Sequence, residues 1–598
     1  MTRTQLLASG ALLALSTAPA VAQDDFLLGT IVVSPSLSPV DLAKTGATVE
    51  VIKDEDLTDA DTSLIQTLSR APGVSFSANG GLGTNTTIRI RGLGNKYVGV
   101  RFDGIDVSDP SSAQTSFNFG GLNSAGLGQV EVLKGSQSAI HGSEAIGGVV
   151  NLTTLRADGP GFAGTANVEF GSFGTRSGGL SLSHASERGE IALSYSQLQS
   201  DGISTRAGDT EEDGFDQNML TLSTRYQLTD TVTVGASALW RDGSVEIDRS
   251  SSDNSGQNFF TQTGARVFAE FETGGVSHEF SVSGFEVDRR DPGGWTTRFQ
   301  GERKQVQYLG STDLGAASSL SFGLDGTRES FTLPSASGEA TTRSAFAELQ
   351  TNPYEALDVS LALRADDHSI FGSAVTGRLA AAWHVGGDVT VRSVLGTGFR
   401  APSLYELYGP YGSTTLQPEK SRSFELGVEK ALASGFVKAT AFYTEIDDLI
   451  DYDFVTSGYN QVAGTTVSKG IELEARHALS AMVDLYGNYT LTDARNNGVV
   501  QARVPRHDLV LGAEAEMAEG LKGGLEVQRI ADTQASAFAP AGHKVGNYTL
   551  VNASLSYDVS DMAQVYLRVE NLTDEDYETA GGYNTPGRAF YFGVRASF

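Results

Sequence analysis

From about Gly159 to Phe598 the sequence alternates apolar and polar residues with a period of two, interrupted by breaks rich in Gly, Asp and Asn. In residues 565–570, for example, two valines and a leucine alternate with Tyr566, Arg568 and Glu570. Successive side chains of a strand point to opposite faces, so such strands need an apolar medium on one side and water on the other. The edge of a β-sandwich offers this setting too, but a sandwich rarely runs this long as one domain. The pattern therefore predicts strands that cross a membrane.

The length of this region sets the number of strands. A tilted strand crosses a bilayer with roughly 10 residues, and turns and loops bring the repeat to roughly 20 residues per strand. Roughly 440 residues then give about 22 antiparallel strands, a barrel whose lumen holds a plug. The last strand supports closure, because one of its faces carries Phe590, Phe592, Val594, Ala596 and Phe598. The predicted fold is an all-β transmembrane barrel over residues 156–598.

Composition excludes several other classes of protein. The chain has no cysteine, which rules out disulfides and thiolate metal sites. Its 43 basic and 72 acidic residues give a formal charge of -29, which argues against nucleic-acid binding. The eight histidines are scattered, and the motifs G-x-G-x-x-G, P-loop, G-x-S-x-G and H-E-x-x-H do not occur. We therefore expect no enzyme, no catalytic residue and no required cofactor.

The first residues predict export. Arg3 precedes an apolar run at residues 6–15 that is too short to span a bilayer. Residues 20–22, Ala-Val-Ala, match the small-x-small cleavage pattern. Residues 1–22 are therefore predicted to be a signal peptide, with Gln23 as the first mature residue. The predicted location is the outer membrane of a double-membraned bacterium.

Between this peptide and the barrel, short strand and helix signals alternate over residues 41–155. They include Ile-Arg-Ile-Arg-Gly at 88–92, Phe-Asp-Gly at 102–104, Val-Leu-Lys-Gly at 132–135 and Gly-Gly-Val-Val-Asn at 147–151. In this order they resemble the α+β plug of TonB-dependent outer-membrane receptors. Two positions depart from that pattern: the run Lys134-Gly135-Ser136, where Arg-Gly-Pro is usual, and His141, where Tyr is common. The resemblance implies that residues 41–155 fill the lumen.

A plug in a wet, charged lumen needs partners for its charged residues. Arg89, Arg91 and Lys134 are predicted to pair with lumen-facing acids of the barrel, Glu425, Glu429 and Glu472. Such pairs would hold the plug in register and could still be rearranged. A solvated surface position is the alternative for each of these cations.

Residues 23–40 precede the plug and contain a β-prone run that resembles the TonB box. The residues of this run are Thr30, Ile31, Val32, Val33 and Ser34. An unpaired strand here would let TonB add alongside through backbone hydrogen bonds. The resemblance thus implies TonB with its inner-membrane energising complex as a partner, besides outer-membrane lipid and a small ligand. We expect a monomer.

Within the family, segments at residues 145–151, 407–412 and 571–588 are similar to those of the cobalamin (vitamin B12) receptors. This resemblance implies import of cobalamin or a related corrinoid. The corresponding ligand-binding positions are Asn85, Thr87, Gly94, Ser112 and Ala113. The calcium-binding positions of that group correspond to Asp201, Asp209, Glu211, Asp213, Asp248 and Asp253, which predicts a structural calcium ion. A solvated acidic loop is the alternative for the second set.

Other ligands remain open for the same fold, namely a ferric siderophore, haem or a carbohydrate. Haem receptors usually carry a histidine in the segment that here runs from Arg400 to Leu416, and this segment has none. A passive porin or an adhesin is a further alternative. The plug motifs argue against both.

Overall fold

The structure is a computed structural model that describes residues 31–53, 56–57, 63–157, 159–250, 254–536 and 545–598. The predicted signal peptide, Thr30 and Asp253 lie outside the described residues. Within the described part, no helix is both long and apolar enough to cross a bilayer.

Twenty-two antiparallel strands form a closed barrel, as predicted. Closure is made by the last strand, which pairs with the first through a register that sets Val594 opposite Val168. The barrel strands are β11 (Gly161–Gly171), β12 (Arg176–Ser186), β13 (Gly189–Ile203), β14 (Asp213–Thr229), β15 (Val232–Ile247), β16 (Gly256–Thr273), β17 (Val276–Arg290), β18 (Arg298–Asp313), β19 (Ser318–Leu333), β20 (Ala336–Tyr354), β21 (Leu357–His368), β22 (Gly372–Gly386), β23 (Val389–Arg400), β24 (Glu419–Leu432), β25 (Gly435–Asp447), β28 (Thr465–Ser480), β29 (Val483–Asn496), β31 (His507–Ala518), β32 (Leu521–Ala531), β33 (Tyr548–Ser560), β34 (Ala563–Glu570) and β35 (Ala589–Ser597).

Alternation along these strands separates a lipid-facing surface from a polar lumen. On β28, Leu473 is 45% exposed while its neighbour Glu472 is 4% exposed. On β34, Leu567 is exposed and Arg568 is buried. The exposed set is apolar because it faces lipid, and the buried set is charged because it faces the hydrated plug. The sidedness predicted from the two-residue pattern is therefore confirmed.

The plug lies inside the barrel and is built from short elements. Its strands are β1 (Ile31–Val32), β2 (Val40–Asp41), β3 (Val49–Lys53), β4 (Val74–Ala78), β5 (Thr86–Ile90), β6 (Leu93–Gly94), β7 (Val98–Phe102), β8 (Ile105–Asp106), β9 (Leu127–Lys134) and β10 (Gly148–Thr154). Its helices are α1 (Leu64–Leu68) and α2 (Ser138–His141), with 3-10 turns at Leu42–Lys44 and Asn95–Tyr97. The strands form sheets of order β1-β2, β3-β9-β10-β7-β8 and β4-β5-β6, in which the β7–β10 pair is parallel.

One apolar core joins the plug to the barrel wall. It contains plug residues such as Leu64, Ile88 and Phe102, and it continues into Met219 on β14 and Phe285 on β17. Burial of such side chains contributes roughly 1.5–3 kcal/mol each. The plug is therefore held in the lumen by apolar packing as well as by charge.

Asp103 and Gly104 form the turn that closes the β7–β8 hairpin. Phe102 pairs with Ile105, which leaves two residues for the turn. Both adopt positive φ, 47° at Asp103 and 80° at Gly104. A two-residue hairpin of this type needs positive φ at both positions, which Asp-Gly provides at little steric cost.

The two ends of the barrel differ in the length of their connections. At one end most are two residues long, such as 187–188, 230–231 and 274–275. The other end carries the loops 401–418, 448–464 and 571–588. Short periplasmic turns and longer extracellular loops are typical of outer-membrane barrels. We call the loop-bearing end the mouth. Loop 401–418 contains helix α3 (Leu404–Tyr408). Loop 448–464 contains a hairpin of β26 (Ile450–Asp453) and β27 (Gly458–Gln461). The short strand β30 (Val499–Val500) follows β29.

Candidate functional site

A buried group of charges, which we call the plug anchor, joins the plug to β24 and β28. Arg91 Nε lies 2.9 Å from Glu472 Oε1, and Arg91 Nη1 lies 2.9 Å from Glu425 Oε2. Lys134 Nζ lies 2.8 Å from Glu50 Oε1 and 3.6 Å from Glu472 Oε2. Burial alone would lower the pKa of Arg91, but the two barrel carboxylates raise it above its ordinary value. Arg91 therefore stays charged, and both plug cations of the anchor are paired.

Glycines allow the plug to approach these carboxylates closely. A Cβ at Gly135 would overlap Glu425 Oε1, and a Cβ at Gly73 would overlap Glu472 Oε1. Gly135 also has a φ of 78°. The Gly that follows Lys134 is thus required by the anchor itself.

The ion pairs predicted for the two anchor cations are confirmed, whereas the prediction for Arg89 is wrong. Arg89 Nη1 donates to Ser77 Oγ at 2.8 Å, and among the described residues no carboxylate forms an ion pair with it. The third predicted acid, Glu429, instead lies 3.6 Å from Arg392.

The described part of the predicted TonB box, residues 31–34, is docked against the plug. Ile31 and Val32 pair with Val40 and Asp41 in an antiparallel ladder. The side chain of Val32 is fully buried in an apolar cluster. The expected free strand is therefore paired along one edge in this conformation, because Val40 and Asp41 fold back onto it.

Beyond β1, one buried carboxylate of strand β9 holds the chain. Glu131 accepts from Val33 N at 3.1 Å and from Ser34 N at 2.8 Å, and it also accepts from the hydroxyl of Ser34. His141 Nε2 donates to Ser34 O at 2.7 Å. Burial, followed by the charge of Arg101, lowers the pKa of His141 to about 3, so the ring is neutral. Because a carbonyl only accepts, Nε2 carries the proton.

The next residues are tied to the barrel wall. Arg378 Nη1 donates to Pro35 O at 2.9 Å. Glu348 accepts from Ser36 Oγ and from Leu37 N, each at 2.7 Å. Residues 31–37 therefore bridge the plug and the barrel, and all of these contacts must break if the segment is to leave.

Three of the predicted ligand positions meet on one face of the β4-β5-β6 sheet. Asn85 is exposed just before β5, and Thr87 pairs with Ser77 across the β4–β5 ladder. Gly94 lies opposite Arg89, and a Cβ added there would meet nothing within 4 Å. These positions therefore border open space.

The other two predicted ligand positions lie apart, in the loop after β8. Ser112 Oγ donates to Asp109 O at 3.0 Å. Ala113 is exposed, and its carbonyl accepts from Ser403 Oγ at 3.0 Å. The structure thus places Ser112 and Ala113 beside the mouth loop 401–418.

Of the six predicted calcium ligands, the structure brings three together at the mouth. Ligand oxygens of Asp209, Glu211 and Asp248 all lie within 4.8 Å of one another. Asp213 is buried nearby and accepts from Thr205 N at 2.6 Å. Asp201 is exposed and falls outside the group.

The electrostatics of this acidic group suit a cation. Burial and the neighbouring Glu211 raise the pKa of Asp248 to about 6. Hydrogen bonding to Asp248 and Asp209 lowers the pKa of Glu211 to about 2. Glu211 Oε1 and Asp248 Oδ1 are buried and have no donor among the described residues. Calcium prefers oxygen ligands, and here carboxylate oxygens from two loops lie within 4.8 Å of one another.

A second buried network at the mouth was missed by the sequence reasoning. Arg400 is fully buried and pairs with Glu406 at 3.0 Å and with Glu419 at 2.8 Å. Lys96 of the plug lies 3.4 Å from Glu419 and donates to Ile450 O at 2.7 Å. This network joins the plug to α3 and to the hairpin β26–β27. The only local signal was the capping box of α3, Ser403 with Glu406, which fixes the glutamate but not its long-range partners.

The anchor can be tested by removing one charge. Arg91→Gln leaves Glu425 and Glu472 buried without their main counter-charge, so we expect the seated plug to lose about 3–5 kcal/mol. Hydrogen exchange at β9 and β10 should rise, and the receptor should conduct ions in planar bilayers. Arg328→Gln, which removes an exposed pair with Glu339, is the matched control and should change neither readout. Unaltered exchange and conductance in Arg91→Gln would contradict the role of the anchor.

Comparison with known proteins agrees with this architecture. Residues 41–149 match the family model of the TonB-dependent receptor plug domain, and residues 150–572 match that of the TonB-dependent receptor-like β-barrel. Curated relatives named vitamin B12 transporter BtuB include one from Vibrio cholerae, 26% identical over 95% of both chains, and one from Photobacterium profundum, 26% identical over 88% of this chain and 89% of the relative.

Solved structures share the fold at lower identity. The ferric enterobactin receptor PfeA of Pseudomonas aeruginosa has a TM-score of 0.81 at 18% identity and covers 93% of this chain and 100% of its own. The siderophore receptor PirA of Acinetobacter baumannii has a TM-score of 0.78 at 17% identity, over 92% of this chain and 98% of its own. With a plugged barrel and family matches over most of its length, the chain belongs to the TonB-dependent receptors of the bacterial outer membrane.

Proposed function

We propose that this receptor imports cobalamin or a related corrinoid with energy delivered through TonB. The choice of ligand is supported by the likeness to vitamin B12 transporters over 95% of the chain. The acidic group of Asp209, Glu211 and Asp248 at the mouth is consistent with it, since a calcium ion there would order two loops around a ligand. The siderophore receptors share the fold alone, so a ferric chelate remains the competing ligand.

The main support for this mechanism is that residues 31–34 are docked on the plug, where Glu131 and His141 form hydrogen bonds with Ser34. Ligand at the mouth favours a plug state in which this segment leaves its site and enters the periplasm. This is a coupling between two distant sites, so it needs two plug states with different affinities for the ligand. TonB then pairs with the released strand and pulls, and no bond of the ligand is broken.

The transport mechanism is tested with a proline in the segment. Ile31→Pro removes a backbone donor and prevents extended pairing with TonB. Purified receptor carrying it should bind cobalamin with nanomolar affinity, like the wild type, while cells that depend on it should take up none. Ile31→Val keeps the backbone N–H and is the matched control, which should preserve both.

Two results would each contradict a different part of the proposal. Normal uptake by Ile31→Pro cells would remove the TonB step. Wild-type receptor that binds ferric chelates but not cobalamin in a competition assay would replace the ligand and leave the mechanism in place.

Calcium binding is tested by calorimetry on the purified receptor. We expect calcium to bind to the wild type, and Asp248→Asn to weaken it at least about 10-fold by removing a charged ligand. Since the pKa of Asp248 is about 6, protons compete below that pH, and affinity should fall as the pH is lowered from 7 to 5. Asp201→Asn is the control and should bind calcium normally. Equal binding by both variants would remove the site.

A further inference from the structure

Arg89 is a plug cation that has no acidic partner in the described part of the chain. It projects from the same face of β5 as Thr87, one residue from the buried Ile88 and Ile90. Its Nη1 donates to Ser77 Oγ at 2.8 Å, and among the described residues no carboxylate pairs with it. In this it differs from Arg91, whose charge is fully matched.

A second arginine lies beside it. Arg503 Nη1, in the mouth loop before β31, contacts Asn79 Oδ1 at 3.4 Å. Ser77 lies on β4 and Asn79 directly follows the end of that strand, so the two contacts are made two residues apart in the chain. The backbone stays paired there, since Asn79 N donates to Asn85 O at 3.1 Å. The two guanidinium groups therefore bind side chains that are two residues apart, and the charge of Arg503 acts on Arg89.

The electrostatics of this pair are unfavourable without an anion. Burial and the charge of Arg503 lower the pKa of Arg89 to about 10, and burial also lowers the pKa of Arg503. Arg89 remains protonated at neutral pH, because a pKa of about 10 is still well above it. Two like charges in a partly buried setting repel each other until a negative group lies between them.

The site is accessible from the mouth. Gly94 pairs with Arg89 across the β5–β6 ladder, so the two positions share a face, and a Cβ at Gly94 would meet nothing within 4 Å. Asn85 and Thr87, on the same side, border the same space. An oxyanion in this space would therefore lie beside Arg89, whose partner Ser77 is two residues from the Asn79 contact of Arg503.

We propose that Arg89 and Arg503, supported by Ser77 and Asn79, form a binding site for an oxyanion of the imported ligand. Arginine suits this role because its planar fork gives paired donors to phosphate or carboxylate oxygens. The proposal rests on the proposed function for its ligand: cobalamin carries one phosphodiester, whereas cobinamide lacks the nucleotide and its phosphodiester. Arg89 and Arg503 would therefore distinguish complete from incomplete corrinoids.

The test is calorimetry on the full-length purified receptor with three probes: inorganic phosphate, cobalamin and cobinamide. Arg89→Gln and Arg503→Gln should each weaken phosphate and cobalamin binding about 10-fold or more, through loss of a charge-assisted contact. Cobinamide affinity should change less than about 2-fold in both variants, a difference that misfolding would not produce. Arg495→Gln is the matched control, because Arg495 Nε already lies 2.7 Å from Asp493, and it should bind all three probes normally.

The outcomes separate this site from the ligand assignment. Unchanged phosphate and cobalamin affinities in both variants, or equal losses for cobalamin and cobinamide, would overturn the oxyanion site. Phosphate binding that depends on Arg89 and Arg503, in a receptor that binds no cobalamin, would keep the site and reject cobalamin as the ligand.

Discussion

The structure depends on how charge is compensated inside a closed barrel. Lumen-facing positions carry acids because the lumen is hydrated, yet the plug covers them and removes most of that water. A buried charge is costly unless it is paired. Plug and barrel satisfy this together: Lys134 and Lys438 both contact Glu50, at 2.8 and 3.3 Å, and Lys134 reaches on to Glu472 at 3.6 Å. Because each charge has more than one neighbour, pairs can exchange without any charge being left alone.

The same arrangement links the mouth to the docked N-terminal segment. Lys96 donates to Ile450 O in the hairpin β26–β27. The carbonyl of the next residue, Tyr97, accepts a hydrogen bond from Gly147 N at 2.8 Å. Gly147 O in turn accepts from Gly135 N at 3.0 Å, at the end of strand β9. The same strand carries Glu131, which holds Ser34. A shift of the mouth loops thus has a continuous route of direct contacts to the segment, although coupling also requires two plug states.

Local sequence was sufficient for features fixed by neighbours in the chain. The two-residue alternation predicted the barrel strands and their sidedness, because the direction of side chains along a strand depends on backbone geometry alone. Charge pairing was harder. Arg89 and Arg91 lie on the same sequence motif, yet only Arg91 meets carboxylates, because Gly73 and Gly135 open space for Glu472 and Glu425 beside it. Lys96 and Glu419 are 323 residues apart, so nothing local could have joined them. The docking of Val32 depends on a chain reversal at residues 35–39 that the sequence did not predict.

The most direct test of the account is the mobility of the N-terminal segment with and without ligand. The chain has no cysteine, so Val33→Cys, at a position that is 44% exposed, can carry a single spin label. The label should be immobilised in the free receptor and should become mobile when cobalamin, the proposed ligand, is added at saturating concentration. A label that stays immobilised while cobalamin is bound would contradict the coupling between ligand and segment.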